Sequence, residues 1–142
     1  MKTLFLPLDE RPCNAWFPKM LENDNLQLIT PDSSILGDKK KPGDTAQIAS
    51  FLKEHCRECD NAVIAVDTLL YGGLIPSRLH HTSAEVLLER LKTLKDIRNL
   101  NPKLKLYTFQ CIMRCPSYNS GEEEPDYYED YGLSIFRSAY LK

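Results

Sequence analysis

The sequence has no long apolar run. None of its 142 residues lies in a stretch near the ~20 apolar residues that a membrane-spanning helix needs. The first residues, Met1 to Leu8, place a lysine before an apolar segment, as a signal peptide does. Pro7 and the charged residues after Leu8 end that segment well short of signal-peptide length. We therefore expect a cytoplasmic protein that makes no contact with a membrane.

The chain also lacks an excess of charge of either sign. It carries 18 Lys and Arg against 20 Asp and Glu, a net charge of −2. Nucleic-acid binding depends on clustered positive charge that neutralises phosphates, so we expect no nucleic-acid partner. An apolar content of 42% supplies enough material for one hydrophobic core and argues against a disordered chain. The length suits a single domain.

Several familiar catalytic and cofactor signatures are absent. The sequence contains no G-x-G-x-x-G, no G-x-x-x-x-G-K, no H-E-x-x-H and no G-x-S-x-G. Its five cysteines are odd in number, which is typical of a reducing compartment. Cys56 and Cys59 form a C-x-x-C at the end of a helical pattern, and Cys111 lies within a strand pattern. We interpret them as structural residues, predict no metal ligands, and leave the cofactor unknown.

Short apolar runs alternate along the chain with helical patterns. Residues 62–66 are all apolar, which is typical of a strand buried on both faces of a parallel sheet. The alternation predicts an α/β fold of right-handed βαβ units. The predicted strands are 3–8, 25–29, 62–66 and 104–113. Periodicity leaves open whether they form a small open sheet or the first half of a (β/α) barrel.

The helical patterns begin at recognisable capping residues. Asp44 and Gln47 have the spacing of a capping box, and so do Thr82 and Glu85. A short helical turn is predicted over 15–22 and a final helix over 127–141. The helix after Thr82 is predicted to bury one apolar face. That face consists of Leu87, Leu88, Leu91, Leu94 and Ile97.

Polar residues follow three of the predicted strands. Ligands of parallel α/β proteins bind beyond the carboxyl ends of the strands, so we expect a pocket there. Three carboxylates, Asp9, Glu10 and Asp67, are the candidate catalytic acid–base groups. The candidate substrate-binding residues are Arg11, Asn14, Tyr71, Gly72, Gly73, Arg78 and Arg114.

The residue types explain these roles. Arginine binds carboxylate or phosphate groups through paired hydrogen bonds, and a Gly-Gly pair lets the backbone approach a ligand closely. Whether His80 or His81 reaches the pocket is left open. So is the alternative that aspartates and arginines at strand ends simply pair with one another.

Three motifs resemble a bacterial family known as domain of unknown function 4127. They are residues 6–14 (LPLDERPCN), residues 66–78 (VDTLLYGGLIPSR), and residues 113–116 (MRCP) with 127–132 (YYEDYG). The resemblance implies that this chain is the N-terminal part of a longer protein and packs against the rest of it. It names no reaction. It supports treating the strand-end residues as one site, namely Asp9, Arg11, Asp67, Arg78 and Arg114.

Paired carboxylates together with aromatic residues suit the hydrolysis of a glycosidic bond, and we expect a small-molecule substrate of that kind. Two alternatives stay open. One is a metal-assisted phosphoester hydrolase. The other is a non-catalytic module that binds an anionic or sugar-like metabolite.

Overall fold

The computed structural model describes residues 1–141, which divide into two compact units. The first unit spans Met1–Gln110 and the second begins at Cys111. The strands are β1 (Lys2–Leu6), β2 (Gln27–Ile29), β3 (Gly37–Asp38), β4 (Lys41–Pro42), β5 (Asn61–Ala65) and β6 (Lys105–Phe109). The helices are α1 (Pro12–Ala15), α2 (Thr45–His55), α3 (Val66–Tyr71), α4 (Pro76–Leu79), α5 (Ala84–Leu100) and α6 (Tyr128–Tyr140). Short 3₁₀ turns occupy Phe17–Leu21, Ser33–Ile35 and Cys56–Glu58.

Four strands form the main sheet in the order β2-β1-β5-β6, and every neighbouring pair is parallel. The predicted α/β fold with a parallel sheet is therefore confirmed. The barrel alternative is not confirmed, because consecutive strands are neighbours in a (β/α) barrel, whereas here β1 lies between β2 and β5. The chain forms β2 on one side of β1 and then crosses to the other side of β1 to form β5. The strand order therefore reverses between β1 and β5, as in doubly wound sheets.

The core lies on the face of the sheet that α2 and α5 cover. Leu4 pairs in register with Ala62, and Leu6 pairs with Ile64, so these four side chains project to the same face. All four are fully buried, together with Ile48 and Leu52 of α2 and Ile97 of α5. Full burial of a leucine or isoleucine contributes about 1.5–3 kcal/mol each, so this cluster is the main source of stability.

Helix α2 begins as predicted. The Asp44 carboxylate accepts hydrogen bonds from the backbone N–H groups of Ala46 and Gln47, both at 3.0 Å. The Gln47 side chain donates to the other carboxylate oxygen at 2.8 Å. These bonds satisfy donors that the first turn of a helix leaves without a partner, and they hold the pKa of Asp44 below its ordinary value.

The predicted buried face of α5 is only partly correct. Leu88 is 61% exposed and Leu91 is 38% exposed, whereas Thr93 and Ile97 are buried. Thr93 and Ile97 lie one turn apart and therefore share a face, which is the face that α5 presents to its neighbours. The apolar pattern missed this orientation because a polar residue, Thr93, occupies a core position. The helix also begins one residue later than predicted, with Ser83 as its N-cap.

Two further segments differ from the prediction. The fourth strand ends at Phe109 instead of continuing to Met113. The polar segment after β5 contains two short helices that the sequence patterns did not predict, α3 and α4. Gly72 ends α3 in the left-handed conformation, and Pro76 occupies the first turn of α4, where its missing N–H costs nothing.

The second unit contains α6, which confirms the predicted final helix. The Asn119 side chain accepts a hydrogen bond from the backbone N–H of Leu133 at 2.8 Å and thereby fixes the preceding loop to the helix. Throughout residues 1–141, no helix has both the length and the apolar character needed to cross a bilayer.

Candidate functional site

Asp9 follows β1 and is only 3% exposed. Its Oδ1 accepts hydrogen bonds from the Arg11 backbone N–H (3.1 Å) and from Asn14 Nδ2 (2.7 Å). Its Oδ2 accepts from Arg11 Nε (2.9 Å) and Nη2 (2.6 Å), which makes a two-pronged ion pair. A buried carboxylate needs such partners to offset its lost hydration. Asp9 therefore fixes the positions of both Arg11 and Asn14.

Asp67 lies in the first turn of α3 and is 2% exposed. The next residue, Thr68, is fully buried, and its hydroxyl donates towards the carbonyl oxygens of Pro7 (2.7 Å) and Leu8 (2.6 Å). These bonds attach the start of α3 to the segment that follows β1. Asp9 and Asp67 thus flank the point where the strand order reverses, which is where ligands of open α/β sheets bind.

The Gly72–Gly73 pair lies beside this site. Gly73 has φ = 142°, and a Cβ added there would be 3.9 Å from the Cβ of Asp9 and 3.4 Å from Cδ of Pro76. Gly72 has φ = 81°, and a Cβ there would be 2.6 Å from the backbone N and O of Gly43. From the sequence, the Gly-Gly pair was expected to let the backbone approach a ligand closely. At Gly72 the backbone instead approaches the chain's own Gly43.

Glu10 is half-buried, and its Oε1 accepts a hydrogen bond from the backbone N–H of Lys39 at 2.8 Å. Lys39 has φ = 48°, so it occupies the left-handed conformation in the turn between β3 and β4. Glu10 therefore stabilises that turn. It also lines a cleft of about 310 Å³ together with Trp16 and Lys19.

Tyr71 and Arg78 lie further along the same segment. The Tyr71 ring packs against the His80 ring with centroids 4.4 Å apart, and both line a cleft of about 230 Å³, called the Tyr71 cleft below. Arg78 is half-buried in the last turn of α4. Of the two histidines, His80 is the one that lines this cleft.

Arg114 belongs to the second unit. Its Nη2 donates to the Tyr118 hydroxyl at 3.3 Å, and its guanidinium carbon lies 5.6 Å from the centroid of that ring. The other nine predicted site residues all belong to the first unit. The grouping of Arg114 with Asp9 and Asp67 remains a prediction.

The cysteines at the end of α2 are buried in the core, in agreement with a structural role. Burial raises the pKa of the Cys56 thiol, and burial together with the nearby Glu58 carboxylate raises the pKa of Cys59 to about 11. Both groups are therefore protonated at neutral pH and poorly reactive. No group of three or more His, Cys, Asp or Glu side chains within residues 1–141 is arranged to hold a metal ion.

Sequence reasoning missed two residues of these sites. Thr68 links the two aspartate segments, and its one signal is a hydroxyl directly after a buried strand. Arg90 of α5 lines the Tyr71 cleft and donates a hydrogen bond to the Leu70 carbonyl. Helical periodicity gave no reason to connect Arg90 with a segment 20 residues earlier.

The fold and the site define a class: an α/β protein with a parallel sheet and a buried polar site where the strand order reverses. The chain belongs to the family described as a protein of unknown function (DUF4127), which matches residues 3–142. Comparison with curated proteins and with solved structures yields no match.

Proposed function

We propose that the site between β1 and β5 is the substrate pocket of a hydrolase that cleaves glycosidic bonds. The observation that supports this most is the pair of carboxylates, Asp9 and Asp67, buried on either side of the strand-order reversal. Burying a carboxylate costs free energy, and functional sites are where proteins tolerate that cost most often.

The environments of the two carboxylates suggest different roles. Asp9 is ion-paired with Arg11 and holds Asn14, so we assign it the positioning of these two substrate-binding side chains. Asp67 lies buried in the first turn of α3 and is the acid–base candidate. Glycosidic cleavage uses two carboxyl groups, so in this proposal Asp9 also serves as the second of them. Glu10 is bound to the turn at Lys39, so we assign it a structural role instead.

A second candidate is a non-catalytic module that binds an anionic or sugar-like metabolite. One observation favours it: each Asp9 oxygen already accepts hydrogen bonds from its own chain. A carboxylate engaged in this way serves to orient Arg11, whose side chain is about one third exposed and whose guanidinium is suited to an anion.

The test is a panel of chromogenic glycosides and phosphate esters, assayed with the wild-type protein and with Asp67→Asn. Loss of a general acid–base group lowers kcat by about 10²–10⁴-fold. We expect turnover of a glycoside by the wild type and a loss of that size in the variant, with an unchanged circular dichroism spectrum.

Asp96→Asn is the matched control. Asp96 carries the same functional group on α5, where it pairs with Lys53 at 2.7 Å, and the variant should retain full activity. Saturable sugar binding without turnover would favour the non-catalytic module. Turnover of phosphate esters alone would replace the glycosidic assignment, and equal activity of the wild type and Asp67→Asn would remove Asp67 from the mechanism.

A further inference from the structure

The Tyr71 cleft has an unusual lining. Its polar residues include Arg90, Lys40, His80 and the hydroxyl-bearing Thr45, and no Asp or Glu of the described residues lines it. Apart from Thr82, the remaining lining residues are apolar or aromatic. A concave surface with cations and no carboxylates favours a negatively charged ligand on electrostatic grounds.

Arg90 is the central cation of this cleft. It is half-buried, and its Nη1 donates to the Leu70 carbonyl, which anchors the guanidinium. Within residues 1–141, Arg90 forms no ion pair with a carboxylate. A guanidinium has five N–H donors in a rigid plane, so one backbone bond leaves donors for a ligand oxyanion.

His80 contributes a further donor. Its Nδ1 accepts a hydrogen bond from the Thr82 backbone N–H at 3.2 Å, which leaves the proton of the neutral ring on Nε2. Its ring packs on Tyr71 at 4.4 Å and 33°, so the two rings form a wall against which a planar or apolar group can pack.

We propose that the Tyr71 cleft binds the oxyanion group, carboxylate or phosphate, of a small organic molecule. Arg90 is the principal anion ligand, His80 and Lys40 assist it, and the Tyr71 wall accommodates the body of the molecule. A volume of about 230 Å³ suits a compact ligand, because drug-sized ligands occupy about 300–1,000 Å³. The proposal does not depend on hydrolase activity at Asp67.

The test is isothermal titration calorimetry with four probes: phenyl phosphate, benzoate, inorganic phosphate and phenol. We expect one or both aromatic oxyanions to bind, and the tighter of the two identifies the preferred oxyanion. Phenol, which lacks the charge, should bind about tenfold more weakly or worse, because hydrogen bonds to charged groups are the strong ones. Inorganic phosphate should also bind more weakly, since it cannot use the aromatic wall.

Two variants test the assigned residues. Arg90→Gln should weaken binding of the aromatic oxyanions about tenfold or more, whereas Arg98→Gln, an exposed arginine on the same helix, should not. His80→Phe keeps the aromatic wall, removes the Nε2 donor and should weaken binding several-fold. If Arg90→Gln fails to fold, the binding measured with His80→Phe tests the proposal instead.

Three results would overturn the proposal. They are no saturable binding of either aromatic oxyanion at millimolar concentration, phenol binding as tightly as the oxyanions, and folded Arg90 and His80 variants that bind like the wild type. None of these results bears on turnover at Asp67, so this proposal and the proposed hydrolase can fail separately.

Discussion

Single residues near the strand ends serve the chain's own packing. Asp9 shows this most clearly, because every hydrogen bond described for its carboxylate comes from the two side chains and one backbone group that follow it. Its charge is compensated locally, whatever binds nearby. The sequence left open the alternative that aspartates and arginines at strand ends pair with one another, and this is correct for Asp9 and Arg11. Their pairing is compatible with a contact between Arg11 and a ligand.

Gly72 gives a prediction at this scale. Gly72→Ala places a Cβ 2.6 Å from the Gly43 backbone at a positive φ, so the two segments must separate. We expect the free energy of unfolding to fall by about 1–3 kcal/mol or more, measured by urea denaturation. Gly121→Ala is the control, since its Cβ meets its nearest neighbour at an ordinary 3.6 Å. Equal stability of the two variants would contradict the close approach of Gly72 to Gly43.

At the scale of elements, the start of α2 follows from local sequence, whereas the orientation of α5 does not. Asp44 caps α2 through bonds to residues two and three positions later, so its role is visible in the sequence. The orientation of α5 depends on contacts with α2 and α3, and Thr93 takes a core position that apolar periodicity assigns elsewhere. Local hydrogen bonds are therefore predictable, and the choice of buried face is less so.

The cap of α2 supplies the second prediction. Asp44→Ala removes acceptors from the first turn, and we expect the Tm to fall by a few degrees at neutral pH. The hydrogen bonds lower the pKa of Asp44 from 3.8, so the cap is fully present above pH 3.8 and is lost as pH falls through the lowered value. The Tm difference from the wild type should therefore shrink in strong acid.

Glu54→Ala is the matched control for this cap. Glu54 is an exposed carboxylate near the other end of α2, where negative charge is not favoured by the helix dipole. Its removal should leave Tm unchanged or slightly higher. If Glu54→Ala lowered the Tm as much as Asp44→Ala does, the effect would come from the change in net charge and not from the loss of a cap.

At the scale of the whole molecule, we expect the stability of the core to depend on pH through its buried thiols. The pKa of Cys59 is raised from 9.0 to about 11, so the folded state favours the protonated thiol more than the unfolded state does. This contribution is fully present below pH 9 and is lost as pH rises towards 11. We expect the stability advantage of the wild type over Cys59→Ala to decrease across that interval.

The measurement is urea denaturation of both proteins under reducing conditions at a series of pH values. Comparing the two proteins cancels the titration of groups they share. Cys13→Ala, which changes an exposed cysteine, is the control for removing a thiol that lies outside the core. A pH-independent difference for Cys59→Ala would show that its thiol is not shielded from water.

The sequence by itself determined the α/β class, the parallel strands, the cap of α2 and the polar character of the segments after β1 and β5. These features depend on residues that are close to one another in the sequence, so a sequence pattern can predict them. Only the tertiary structure decided the order β2-β1-β5-β6, the buried face of α5, and the contacts that bring Thr68 to Pro7 and Gly73 to Asp9. Those contacts join residues some 60 positions apart, and periodicity along a strand or helix says nothing about which element lies beside it.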